Sequence, residues 1–202
     1  MVNKGTEEVD PHTGMTGEDP AKFAGIPDSY QRLWVPHRMV YVAGNAKPAH
    51  ADEGDSPTAK ARCPFCIAPT KQDTETMVVS RGDAAFVVLN LFPYNAGHLL
   101  ICPYRRVPDY TDLTDEETEE IARLSQQAMR VTRAVSKPAG FNIGMNQGVA
   151  GGAGIAAHLH QHVVPRWTGD ANFLPVVGQT KALPELLADT RNKLAAAWED
   201  AC

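Results

Sequence analysis

Residues 158 to 167 read HLHQHVVPRW, and this stretch constrains the chain more than any other. His158, His160 and His162 recur at period two. Side chains of an extended strand alternate between its faces, so residues i, i+2 and i+4 share one of them. Three imidazoles then line one side, with Leu159, Gln161 and Val163 on the other. The chain has only seven histidines, so three within this stretch is a concentration. A solvated strand face normally mixes Lys, Glu, Thr and Ser. Imidazole works near neutral pH as nucleophile, base, acid or metal ligand. The row therefore points to a reaction centre.

The 202 residues suffice for one substantial domain. A net charge of −5 gives no support to coating nucleic acid or an anionic membrane. It leaves a small phosphate ligand open, because such sites use local backbone N–H groups. No apolar run approaches a membrane span, and the acidic N-terminus lacks the apolar core of a secretory signal. Four cysteines, two of them close together, do not make a disulfide framework. A cytoplasmic protein is expected.

Residues 1–28 read as a disordered polar tail and 29–202 as a single domain, opening with DSYQRLWVPHRMVYV. Residues 43–60 read as loop. Met77 to Val79 and Ala85 to Leu91 form a hairpin around Arg81-Gly82-Asp83. GHLLICP at 97–103 is a third strand. Thr114 to Glu117 is a capping box. The helix after it carries Ile121, Leu124, Ala128, Val131 and Val135 on one stripe and ends at Lys137-Pro138. FNIGMNQG opens a fourth strand, a glycine tract follows at 148–157, and the histidine strand comes next. A C-terminal helix spans 183–198. Strands with segregated helices imply an α+β fold: an antiparallel sheet of about five strands, a long helix and a C-terminal helix.

Two chemistries suit the three histidines. One is a metal site, against which stands the lack of a nearby carboxylate. The other is nucleophilic catalysis by one neutral imidazole whose neighbours fix its tautomer and serve the leaving group. The glycine tract permits close backbone approach, and its N–H groups could form an anion nest. Imidazole beside a phosphate cradle points to phosphoryl or nucleotidyl transfer.

HLHQHVV resembles the His-φ-His-φ-His-φ-φ pattern of the histidine triad (HIT) superfamily, apart from the polar Gln161. LWVPHRMVYV, CPFC, LNLFPYNAGHLLICPYRRV, the Leu-Thr-x-x-Glu helix start and VPRWTGDANFLPVVG are similar to one bacterial branch. That branch includes diadenosine tetraphosphate phosphorylases and related dinucleoside polyphosphate hydrolases. The resemblance covers roughly residues 30–198. It implies that His160 attacks the α-phosphorus and forms a nucleotidyl-imidazole. A backbone carbonyl near His158 would hold its other ring nitrogen, and His162 would bond near the bridging oxygen. His98 would face the phosphates and Asn90 would bind the ribose. Asn146 and the backbone of Gly152, Ala153, Gly154 and Ile155 would hold phosphate. Trp167 would stack on a base or close the pocket. Asn90, His98 and Trp167 each also suit ordinary structural roles. The resemblance implies a small nucleotide as substrate, no cofactor required for the chemistry, and a homodimer or higher homo-oligomer.

Cys63 and Cys66 form half of a zinc pattern. In zinc-bearing relatives the other ligands fall at His158 and at the position of Arg106. Guanidinium stays protonated and cannot ligate, so Arg106 weighs against structural zinc unless His37 or His50 substitutes. Arg105 and Arg106 suit either a polyphosphate chain or a solvated strand end. Redox use of the cysteines is disfavoured because no helix start surrounds them. The competing functions are a purine nucleoside phosphoramidate hydrolase, a nucleotide-binding protein without turnover, and an unrelated zinc hydrolase. Ala153-Gly154 replaces a Gly-Ser found in some phosphorylases, so the choice between water and phosphate as acceptor stays open.

Overall fold

Two strands, AFVVL and LLICP, are apolar at almost every position, and each of their residues is buried. Such strands need cover on both faces, which sets the layers. In a computed structural model of the chain, residues 56–170 and 183–200 are described. They fall within one compact unit, Val40–Cys202. Met1–Met39 lies outside the described residues, as do the polar tail, the LWVPHRMVYV segment, His37 and His50.

The strands are β1 (Val78–Arg81), β2 (Ala85–Leu89), β3 (Leu99–Pro103), β4 (Gly140–Met145) and β5 (Gln161–Arg166). They form one sheet in the order β1-β2-β3-β5-β4. Every neighbouring pair is antiparallel. Short helices precede the sheet: α1 (Pro57–Arg62), α2 (Pro64–Ile67) and α3 (Asp73–Thr76). Then come α4 (Asp115–Ser136) between β3 and β4, and α5 (Leu187–Asp200) after β5.

One sheet face presents Val87, Leu89, Leu99, Ile101 and Val163 to Ile121, Leu124, Ala128 and Val131 of α4 and to Leu194 and Trp198 of α5. Each large side chain buried there contributes roughly 1.5–3 kcal/mol. The stripe on α4 is the one its sequence spacing predicts. Thr114 and Glu117 form the expected capping box, and Lys137, left-handed at φ 49°, ends the helix before Pro138. The opposite face carries Phe86, Val88, Leu100 and Cys102 against Cys63, Phe65 and Ala68.

Several boundaries differ from the sequence expectation. Ser56 caps α1 through its side chain and Pro57 starts it, so the end of the supposed 43–60 loop is helical. β2 stops at Leu89 because the Asn90 Oδ1 accepts the Phe92 N–H at 3.0 Å and turns the chain. β3 starts after Gly97, whose φ of +67° suits glycine. The last helix begins at Leu187 rather than 183. Leu183 and Leu186 are exposed and have no core to bury them, while Glu185 instead accepts from Thr190 and Lys193. The β1–β2 turn is Gly82 to Ala84, held by the Glu120 carboxylate, which accepts the N–H groups of Asp83, Ala84 and Ala85. A Cβ on Gly82 would lie 2.5 Å from that carboxylate.

Candidate active site

The histidine row starts before the ladder does. His158, Leu159 and His160 precede β5, and only His162 lies within it, opposite Leu100 and Gly144. The Leu159 N–H still reaches the Val107 carbonyl at 2.8 Å, so the segment is tethered. All three imidazoles are buried, at 0%, 6% and 7% exposure. A solvated polar face is therefore excluded.

A buried ring nitrogen is costly to leave unpaired, and the partners present assign the tautomers. His160 Nδ1 lies 2.9 Å from the His158 carbonyl. A carbonyl only accepts, so Nδ1 carries the proton and Nε2 keeps its lone pair. His158 Nε2 lies 2.8 Å from the Pro103 carbonyl, so its Nδ1 bears the lone pair. A backbone N–H from Tyr94 donates to His98 Nδ1 at 3.0 Å. His98 Nε2 must then carry the proton, and it donates to His162 Nδ1 at 2.9 Å. That leaves the proton of neutral His162 on Nε2, which is buried and has no partner. The centre thus presents one lone pair, on His160, beside one unused donor, on His162. Their ring centroids are 5.0 Å apart.

Both imidazoles are held neutral. Burial pushes His162 down to about 4, aided by the neighbouring His160. Burial also lowers His160, against the bond to the His158 carbonyl. A neutral His160 retains a nucleophilic lone pair at pH 7.

The remaining residues fall into three groups. Asn90 and His98 are next to the centre: Asn90 Nδ2 lies 3.2 Å from His98 Nδ1, while its Oδ1 is used in the turn. Asn146 follows the Met145–Gln161 pair at the end of β4, which brings its backbone level with His160. In the glycine tract, the Gly152 and Ala153 N–H groups donate to Val149 and Gly148 carbonyls. Two of the four amides expected to cradle phosphate are thus engaged within the loop. Gly152 has φ +86°, and a Cβ on Gly151 would lie 2.3 Å from the Gln147 carbonyl oxygen, so these glycines shape the turn itself. Trp167 follows the far end of β5, on the order of 20 Å along the strand from His160. It donates from Nε1 to the Ser136 carbonyl at the end of α4, a structural contact. Arg105 is likewise structural: it pairs with Glu117 through Nε and Nη2 at 3.0 and 2.6 Å. Nη2 also donates to the Asp112 carbonyl, so Nε and Nη2 are engaged within the fold.

Three contributors escaped the sequence reading. Tyr94 stacks on His162 with centroids 5.4 Å apart and planes at 14°, and its backbone orients His98. Phe65, inside CPFC, packs on His160 at 4.9 Å and edge-on against His158 at 5.6 Å. Ser125 on α4 accepts from the Gln161 side chain. Ser125 explains the polar residue at an apolar motif position: Gln161 points away from the three imidazoles and pins β5 to the helix. A Pro-Tyr two residues from a turn and a Ser one helical turn after Ile121 carry no signature that would single them out.

Cys63, Cys66 and His158 bring one donor atom each within 4.8 Å of one another. Both sulfurs lie 3.5 Å from His158 Nδ1, the nitrogen with the lone pair. Tetrahedral zinc with ordinary Zn–S and Zn–N bonds separates sulfur and nitrogen ligands by about 3.5 Å. The carbonyl behind Nε2 is the usual support for a ligating imidazole. Three donors therefore fit such an ion, and no fourth His, Cys, Asp or Glu joins them among the described residues. Cys63 does stand at a helix start, contrary to expectation. Burial and the adjacent Cys63 nonetheless push the Cys66 thiol up to about 12, the opposite of a redox-active thiolate.

A buried histidine row with fixed tautomers sits on a five-stranded antiparallel sheet, and comparison gives the family. The HIT domain model matches residues 71–169, and the chain belongs to the histidine triad family. Among its relatives is a protein named AP-4-A phosphorylase from Mycobacterium tuberculosis, 49% identical over 86% of this chain and 87% of that one. A bis(5'-nucleosyl)-tetraphosphatase (asymmetrical) from Schizosaccharomyces pombe is 37% identical over 43% of this chain and 46% of its own. The crystal structure of a Zn-bound histidine triad family protein from Mycobacterium smegmatis superposes with a TM-score of 0.57 at 26% identity, over 70% of this chain and 96% of that one.

Proposed function

We propose that this chain is an enzyme that transfers a nucleotidyl group from diadenosine tetraphosphate, or a close dinucleoside polyphosphate, to inorganic phosphate. The observation that carries this reading is the paired tautomer assignment: a lone pair on His160 Nε2 beside an unused donor on His162 Nε2. The His160 lone pair attacks the α-phosphorus, a P–N bond forms, and the P–O bond to the bridging oxygen breaks. ATP leaves. His162 donates a hydrogen bond to the bridging oxygen as charge develops there. A phosphate oxygen then attacks the same phosphorus, the P–N bond breaks, and ADP leaves with His160 restored. Two moderate displacements replace one difficult one.

The relative named AP-4-A phosphorylase supports phosphate as acceptor. One observation favours water as the second reading: Gly154 offers no hydroxyl where some phosphorylases carry Ser, and the amide of the preceding Ala153 is already engaged with Gly148. Incubation with diadenosine tetraphosphate, with and without inorganic phosphate, separates the two. Phosphate-dependent formation of ADP and ATP is expected. AMP and ATP formed without phosphate dependence would assign hydrolysis, and no turnover of the dinucleotide would sink the reading.

Two further parts belong to this proposal. Cys63, Cys66 and His158 hold a structural zinc ion, which would clamp α2 onto the segment carrying His160. A second copy of the chain pairs along β4, whose outer edge has no partner strand among the described residues and exposes Ile143. Sedimentation of a dimer, lost on Ile143→Glu, tests the latter. No described helix is long and apolar enough to cross a membrane.

A further inference from the structure

The metal reading leaves a question in the structure: what completes the site. Cys63 and His158 are 2% and 0% exposed, so only Cys66 meets solvent. It does so in a cavity of about 430 Å³ lined also by Lys60, Tyr104, Arg105 and Arg106. Any fourth donor from outside must therefore come from this side. Arg106 stands there, and its positive charge acts on the Cys66 sulfur. Its Nε is buried and has no hydrogen-bond partner, a costly condition for a guanidinium nitrogen. A guanidinium cannot ligate a metal, but it binds oxyanions well. A divalent ion with two thiolates and one imidazole is formally neutral, so an anion in the fourth position meets no net repulsion from the site and is attracted by Arg106.

We propose that Cys63, Cys66 and His158 form a three-ligand metal site whose fourth position takes a small inorganic oxyanion, held on its outer side by Arg106. This rests on the metal reading above and goes beyond it, because it makes the site ligand-responsive rather than closed. Neither His160 nor His162 lines that cavity, so the anion is distinct from the phosphate proposed to be consumed in turnover.

The test uses the full chain loaded with cobalt(II), with metal content measured by elemental analysis and inorganic phosphate as probe. One cobalt per chain is expected, with visible absorption bands that shift saturably as phosphate is added. Arg106→Ala should weaken the phosphate effect about tenfold, the scale of one charge-assisted hydrogen bond. Arg106→His should supply an internal ligand and make the spectrum insensitive to phosphate. Stoichiometric cobalt with bands unmoved by phosphate would overturn the open position. So would bands that change on His37→Ala or His50→Ala, which would reveal a fourth protein ligand. Failure to bind one cobalt per chain would instead remove the metal reading itself.

Discussion

Replacing His98 by Phe tests whether the tautomer chain matters to chemistry. His98 is fully buried and donates from Nε2 to His162 Nδ1 at 2.9 Å, which keeps the His162 proton on Nε2. Phe removes that donor while filling most of the volume. His162 then loses about one hydrogen bond's worth of bias, roughly 1 kcal/mol, and its ring is free to turn. At 1.4 kcal/mol per factor of ten, kcat should fall on the order of tenfold, with KM nearly unchanged. His162→Phe removes the donor itself, and on the scale of a lost oxyanion-hole donor kcat should fall about 100- to 1,000-fold. The two changes act on one proton, so they should not multiply: the double variant should match His162→Phe within about threefold. The assay is single-turnover release of ATP at saturating enzyme. His98→Gln, whose amide can still donate, should recover part of the rate. If the effects of the two substitutions multiply, or if His98→Phe turns over at the wild-type rate, the chain from Tyr94 through His98 to His162 has no catalytic meaning.

Other outcomes follow from the same geometry. His162 is held near 4 and His160 also below the ordinary imidazole value, while both titrate near 6.5 once unfolded. Between those values the unfolded chain binds more protons, so stability is full above about pH 6.5 and declines as pH falls towards 4. Thermal unfolding across pH 4–8 should show this slope, and the acid limb of kcat should lie well below 6.5; a limb centred at 6.5 would contradict the burial argument. Glu120→Ala strips the acceptor from three backbone N–H groups in the β1–β2 turn and should cost about 2–4 kcal/mol by denaturant unfolding, with kcat intact in the folded fraction. A loss below about 0.5 kcal/mol would mean that water satisfies the turn.

The sequence made some of this legible and left the rest hidden for physical reasons. The apolar stripe and capping box of α4, and the continuous apolar runs of β2 and β3, are local patterns, so the architecture could be read from them. The role of Gln161 could not, because its partner Ser125 is 36 residues away in the chain. Trp167 looked like a stacking residue because aromatic side chains suit bases; its actual partner, the Ser136 carbonyl, is fixed only when β5 packs beside α4. Arg105 and Arg106 read as a matched pair and both line the cavity beside Cys66, yet Arg105 is ion-paired with Glu117, while the Arg106 Nε is buried without a partner among the described residues. The zinc pattern looked one ligand short in sequence, and only the 3.5 Å spacing of the three donors restores its weight. The carbonyl that fixes His160 was implied by the resemblance, but the His162 tautomer depends on the Tyr94 amide acting through His98, a link that no local motif encodes.

The central claim is that His160 carries the nucleotidyl group. Rapid acid-free quenching of the chain with diadenosine tetraphosphate, without inorganic phosphate, followed by intact and peptide mass measurement, tests it directly. A single adenylyl adduct on His160, absent in His160→Asn and discharged as ADP on adding phosphate, is the expected result. Turnover that continues in His160→Asn, or an adduct on any other residue, would contradict it.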